Sequence, residues 1–185
     1  GYPEEMRSIQ VQAAEKYLTL MKKTDEAFQK LVEYFEHEQE PTLILMFGDH
    51  QPSDYITNVI QNLLGQDASE AETSLKELAK RYEVPFIMWA NYDLEEEEGE
   101  ELSANYLSNL LMEKAGLGKS GYQEYLDQLS ESYPVITANF YQDESGKLQK
   151  IEKLSRSENP YSLYGYGVLQ YNDLCDPKNR LKGFF

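Results

Sequence analysis

The sequence predicts an α/β fold: helices packed on a mixed, mostly parallel sheet, with a C-terminal β-hairpin region. Three observations predict it. Two short apolar runs, Thr42–Phe47 and Pro85–Ala90, show no polar alternation, as strands covered on both faces do in a parallel sheet. Around them, apolar residues recur at helical spacing. Beyond about residue 133, alternation and a turn signal take over. The chain has 185 residues, 41% hydrophobic and 27% charged, which suits one globular domain or a large piece of one.

From about Glu4 to Glu38 the residues Tyr17, Leu20, Met21, Thr24, Ala27, Phe28, Leu31, Val32 and Phe35 form one stripe at steps of three and four. This predicts a long helix whose stripe packs on the sheet. Pro41 separates that helix from the first strand. After Pro52 a helix is expected over about Asp54–Leu64, with Gly65 as its stop, and another over Ala68–Tyr82. The second buried strand follows at Pro85–Ala90; the two strands should be parallel neighbours or near neighbours. "NYDLEEEEGEE", Asn91–Glu101, reads as a solvated acidic loop that could at most hold a cation loosely. Ser103 is placed to cap a helix running to Ala115, with Gly116 ending it. Ser120–Ser132 reads as a further helix. Val135–Tyr141 alternates like a strand, Asp143-Glu144-Ser145-Gly146 signals a turn, and Lys147–Leu154 returns as the partner strand. The tyrosine-rich "NPYSLYGYGVLQYNDLCD" suggests edge-strand and domain packing over stacking on sugars or bases.

Charge narrows the function. Lys and Arg number 17 against 33 Asp and Glu, a net charge of −16. Such a surface repels phosphate backbones and anionic membrane surfaces, which argues against nucleic-acid partners. Cys175 is the only cysteine, so no intrachain disulfide can form. No apolar run is long enough to cross a bilayer, and no signal peptide is evident. The chain opens on Gly1 and not on Met, which reads as a cut end with targeting segments removed.

The stretch "PTLILMFGDHQPSDY" raises the sharpest question, because a greasy strand runs straight into Gly48-Asp49-His50. In open α/β sheets, ligands bind at the carboxyl ends of strands. Gly48 permits a sharp turn, so Asp49 and His50 could face one point. Carboxylate plus imidazole suits Mn²⁺ or Zn²⁺ better than Ca²⁺. On the dipeptide alone a bland reading is preferred, in which Asp49 caps the next helix and His50 is an ordinary loop histidine.

Wider context changes the balance. "LILMFGDHQPSDY" resembles the metal-ligand segment of sulfatase-like members of the alkaline phosphatase superfamily, above all the lipoteichoic acid synthase group of phosphoglycerol transferases. "AAEKYLTLMKKTDEAFQKLVEYFE" resembles that group's helix with its "Y…TDEAF" signature, and "VPFIMWANYD" its "PF-I-WAN" strand. "LSANYLSNLLMEKAGL" resembles a segment that sulfatases write "D-x-x-P-T-L-L-x-x-x-G". Ala104-Asn105-Tyr106 departs from that wording, while Leu107, Leu110, Leu111 and Gly116 fit it. "YGYGVLQYNDLCDPKNRLKGFF" looks like the group's closing strand.

The resemblance implies that residues 1–185 form the C-terminal part of one sulfatase-like catalytic domain, 1–132 its α/β core portion and 133–185 a strand-rich, tyrosine-rich portion. It implies Asp49 and His50 as ligands to one divalent metal, Mn²⁺ ahead of Mg²⁺, Zn²⁺ or Ca²⁺. With two ligands only, that position is expected to be empty or held by water or buffer ions. It further implies a Thr nucleophile, an acidic ligand and substrate-binding groups upstream of Gly1, so no catalytic residue is expected in this chain. Ser53 is the only hydroxyl close to the pair in sequence. The whole protein would be a membrane-anchored enzyme with an extracellular catalytic domain. It would act on a phosphoglycerol-bearing lipid or another anionic ester through a covalent intermediate. The alternative is a non-catalytic α/β module that binds a protein or glycan partner.

Overall fold

The computed structural model describes residues 4–63, 74–151 and 155–185. The chain forms two compact units, Gly1–Leu94 and Glu95–Phe185. The expected stop at Gly65, the first residues of the Ala68–Tyr82 helix and the end of the Lys147–Leu154 strand lie outside the described residues.

The first unit runs α1 (Glu4–Phe35), β1 (Leu43–Phe47), α2 (Asp54–Leu63), α3 (Leu75–Lys80) and β2 (Phe86–Ala90). β1 and β2 pair antiparallel, with Leu43 opposite Ala90 and Phe47 opposite Phe86. This corrects the expectation of parallel neighbours. An apolar run reports what touches the faces of a strand; it carries no information on the direction of its partner. Nor are both faces covered: Phe47 is 53% exposed and Ile87 46%. Among the described residues this sheet has two strands, too few to enclose its members. The stripe of α1 is only partly covered: Tyr17, Phe28, Val32 and Phe35 are half-buried, while Leu20 and Met21 stay exposed. α1 packs against α2, and its Gln10 and Ala14 are buried.

Asn91 ties this unit together. Its amide nitrogen lies 3.1, 3.2 and 3.0 Å from the carbonyls of Phe35, Glu38 and Glu40, just past the end of α1. Its amide oxygen accepts from Thr42 N at 2.8 Å, and its own N–H donates to Thr42 O at 3.1 Å. Carbonyls left over at a helix end need partners. One side chain thus serves the end of α1 and joins the open ends of β1 and β2.

In the second unit a 3-10 turn (Ala104–Tyr106) leads into α4 (Leu107–Lys114), followed by α5 (Gly121–Ser132), β3 (Val135–Ile136), β4 (Phe140–Gln142), β5 (Leu148–Lys150) and α6 (Leu163–Cys175). Ser103 does not cap a helix with its side chain. Its hydroxyl donates to Ile136 O and accepts from Ile136 N, fastening the segment to β3. Gly116 ends α4 as expected, at φ 64°, with Gly116 N on Glu113 O and Leu117 N on Met112 O. Ser120 and Gln123 form a reciprocal capping box on α5.

The expected Val135–Tyr141 strand is broken. Thr137 N and Oγ1 both bond Phe140 O, and Phe140 N returns to Thr137 Oγ1, closing a turn that makes two strands of one. β3, β4 and β5 form an antiparallel meander. The turn at Asp143–Gly146 is present, with Gly146 at φ 79°. Bonds from Ser145 and then Gln149 hold the Asp143 carboxyl down at about 2.

The expected closing strand is a helix. Ser162 caps α6 by accepting from Gly165 N. Leu163 and Tyr166 on α6 are buried, and Leu169 packs on the core. Gly165 is required by space: a Cβ there would stand 2.0 Å from Pro160 O. The core gathers Tyr106, Tyr125, Leu126, Leu129 and Tyr166, flanked by Tyr122 and Tyr133. Of the tyrosine-rich tail, Tyr166 belongs to this core, while Tyr161 and Tyr171 stay exposed.

Burial raises the phenols of Tyr106, Tyr122, Tyr133 and Tyr166, and pushes that of Tyr125 up to about 12. A phenol in the unfolded chain ionises near 10. The stabilisation is whole below pH 10 and is lost as pH rises toward 12, because the unfolded state releases its protons first. We expect these five tyrosines to ionise only as the unit unfolds, so that tyrosinate absorbance and loss of near-UV dichroism coincide. Ionisation of all 15 tyrosines with dichroism intact would refute this.

Candidate functional site

The candidate site is the loop after β1. Gly48 continues the ladder by one rung, its N–H bonded to Pro85 O at 3.0 Å. Its φ is not positive, so the expected sharp turn is not what demands glycine. The demand is a close approach: a Cβ at Gly48 would meet Val84 Cβ at 3.0 Å and Val84 Cγ1 at 3.4 Å. Glycine lets the chain pass Val84 without displacing it and emerge from the strand.

Asp49 and His50 follow, both exposed, with side chains 83% and 79% accessible. Asp49 Oδ1 accepts the backbone N–H of His50 at 2.9 Å. His50 Nδ1 lies 2.9 Å from Gln51 O. Each residue thus spends one polar atom on local orientation. The remaining atoms, Asp49 Oδ2 and His50 Nε2, approach to 3.4 Å. Even with the imidazole protonated, an exposed pair of this kind contributes about 0–1 kcal/mol, so this contact does little for stability. Chemically it is one oxygen and one nitrogen at a spacing that could share a cation. Protein sites for such metals commonly use three or four ligands. No group of three candidate ligands occurs among the described residues.

The loop is fixed from three directions. Gln51 Nε2 donates to Lys80 O at 3.2 Å and Glu83 O at 2.7 Å, at and beyond the end of α3. Asp54, at the start of α2, pairs with Arg81. Thr57 Oγ1 donates back to Pro52 O at 3.1 Å. Asp54, and not Asp49, therefore supplies the negative charge at the positive end of α2. Ser53 is exposed, and its carbonyl accepts from Ile56 N and Thr57 N.

Some acidic groups in the second unit are paired with lysines. Glu97, in the loop expected to be solvated, pairs with Lys114 at 2.8 Å, a bond that raises the Lys114 ammonium. Lys119 bonds Asp127 at 2.8 Å, which raises Lys119 in turn. Burial acts to raise the Asp127 carboxyl, but bonds from Lys119 and Asn109 outweigh it and leave it lowered. These contacts join α4 to α5.

The Sulfatase family model matches residues 1–117, which include Gly48, Asp49 and His50. The chain belongs to the sulfatase family. A divalent metal is a general feature of that family. Among curated proteins, the chain is similar to one from Rhizobium meliloti (strain 1021), named as a candidate cyclic beta-1,2-glucan modification protein. They are 21% identical over 169 residues, 91% of this chain and 26% of the relative. The chain thus spans about a quarter of that relative's length. No solved structure matches it.

Sequence reasoning singled out Asp49 and His50, and the fold sets them side by side. It missed Gln51 and Val84, whose roles depend on contacts about 30 residues away in sequence. Gly48→Ala should lower stability by about 1–2 kcal/mol. Overpacking costs roughly 1–3 kcal/mol, partly offset by the smaller unfolded-state entropy of alanine, worth about 0.4–1. Urea unfolding measures it; unchanged or higher stability would show that Val84 does not confine this position.

Proposed function

We propose that this chain is part of a metal-dependent, sulfatase-like catalytic domain that transfers or hydrolyses phosphate or sulfate esters through a covalent intermediate. In this reading Asp49 and His50 are two of the metal's ligands. The observation that carries it is the convergence of Asp49 Oδ2 and His50 Nε2 past the end of β1, in a chain of the sulfatase family. A divalent cation in such a site lowers the pKa of a coordinated hydroxyl and screens an anionic ester. Asp49 supplies the negative charge and His50 a neutral nitrogen, a donor set suited to Mn²⁺, our choice, or Zn²⁺. The nucleophile, a threonine, and the remaining ligands would come from parts of the protein outside this sequence.

The substrate we propose is a phosphoglycerol head group or related ester, met at the outer face of a cell membrane. The described residues contain no helix long and apolar enough to cross a membrane, so attachment would lie elsewhere in the protein. With a net charge of −16, the surface would repel an anionic substrate, and a cation beside Asp49 would offset this locally. The relative's name concerns a glucan, which supports a carbohydrate hydroxyl as acceptor. The alternative, a glycan-binding module built on the tyrosine-rich tail, has less support, because the family match includes Asp49 and His50 but ends before that tail.

In the full catalytic domain, Asp49→Ala and His50→Ala should each lower bound metal and cut turnover by about a hundredfold or more, the upper end of what lesser changes around a metal produce. Metal analysis and turnover of a chromogenic phosphodiester decide it; undiminished activity in both variants would return His50 to an ordinary loop histidine. The 185-residue chain alone should not turn over that ester. Metal-dependent turnover by the chain, abolished by Ser53→Ala, would overturn the claim that its nucleophile lies elsewhere.

A further inference from the structure

His50 Nδ1 lies 2.9 Å from a carbonyl, Gln51 O, and a carbonyl can only accept. A bond there needs the proton on Nδ1, and in the neutral ring Nε2, the atom facing Asp49 Oδ2, then keeps its lone pair. This is the tautomer that free imidazole disfavours, so something must hold the accepting peptide in place. The candidate is the side chain of the same residue. Gln51 Nε2 uses both hydrogens, one on Lys80 O at 3.2 Å and one on Glu83 O at 2.7 Å, 29 and 32 residues along the chain. Asp49 and His50 are exposed and, among the described residues, bond within the loop, while Gln51 is half-buried and reaches the segment that closes α3 and leads to β2. The orientation of the exposed pair thus derives from a neighbour that is not itself exposed.

We infer that Gln51 is the positioning residue of this site. Its amide clamps the loop to the carbonyls of residues 80 and 83, its carbonyl fixes the His50 tautomer, and Nε2 is thereby the nitrogen presented to a divalent cation. The inference rests on the reading of Asp49 and His50 as a ligand pair. Groups that hold a ligating histidine through its second nitrogen commonly change metal affinity by about 10–100-fold when removed.

The test begins with the 185-residue chain without metal. It has two histidines, His37 and His50, and His37→Gln assigns the pair. Two-bond ¹H–¹⁵N correlation, at a pH of about 8 where imidazole is neutral, should show His50 protonated on Nδ1. The Nε2–H form in the wild-type chain would overturn the inference outright, whatever the variants do. Gln51→Glu and Gln51→Met keep the length of the side chain and remove both donors, and in either the population should move toward Nε2–H. An unchanged tautomer in a variant that keeps its native dichroism would also overturn it. In the full catalytic domain, Gln51→Met should weaken Mn²⁺ affinity about tenfold or more, measured by calorimetry. If the tautomer shifts but Asp49→Ala leaves Mn²⁺ affinity intact, the metal reading fails and the positioning role stands. If Asp49→Ala abolishes affinity while Gln51→Met changes neither tautomer nor affinity, the positioning role fails alone.

Discussion

The register of β1 against β2 is the constraint on which the first unit depends. Five facing pairs, from Leu43 opposite Ala90 to Phe47 opposite Phe86, set where each strand stops. At one end, the pairing brings Asn91 to Thr42 and to the carbonyls past α1. At the other, it sets Gly48 against Val84 and Pro85, so the loop carrying Asp49 and His50 leaves the ribbon at a defined place. A slip of one residue would turn every side chain to the opposite face. It would also put Phe47 or Asp49, each with a side chain, against Val84 where the approach is already tight. Close packing at Gly48 and bonding at Asn91 therefore fix the same register from opposite ends, one by excluding alternatives and the other by satisfying otherwise unpaired carbonyls.

The second unit solves a different problem, a core built largely of tyrosine. A buried phenol needs a partner for its hydroxyl. Tyr106 donates to Tyr133 O at 2.8 Å and Tyr125 to Pro160 O at 2.7 Å. These bonds tie the 3-10 turn to the end of α5, and α5 to the segment before α6. The rings supply area while the hydroxyls specify partners, so the same residues provide cohesion and uniqueness. Asn109 acts similarly between helices: its buried amide donates to Gln123 O and to Asp127, whose other oxygen holds Lys119.

What was legible in the sequence was local. The helix of α1, the glycine stop at Gly116 and the turn at Asp143–Gly146 are each decided by neighbours within a few residues, and all three are present. What failed was decided by tertiary contact. The antiparallel pairing of β1 and β2 lay beyond reach, because apolar character says nothing about partner direction. α6 read as a strand because its sequence resembles the closing strand of the lipoteichoic acid synthase group; Leu163, Tyr166 and Leu169 at a step of three were the signal available for a helix. The Val135–Tyr141 strand was broken by bonds between Thr137 and Phe140 that no alternation pattern records.

At the candidate site the same division holds within three consecutive residues. Asp49 and His50 could be found because they close a segment that resembles a family's metal-ligand stretch; the dipeptide alone favoured the bland reading. Gln51 could not, because glutamine in a loop is commonplace and its importance lies in two carbonyls far along the chain. Yet the chemistry of the pair depends on the third residue. Two exposed, flexible side chains pay rotamer entropy for any shared ligand. Here that entropy is already reduced by Asp49 Oδ1 on His50 N and His50 Nδ1 on Gln51 O, leaving Oδ2 and Nε2 aligned. A site that draws further ligands from other parts of a protein gains most from such local order, because the pair then enters assembly as one oriented unit in place of two mobile ones.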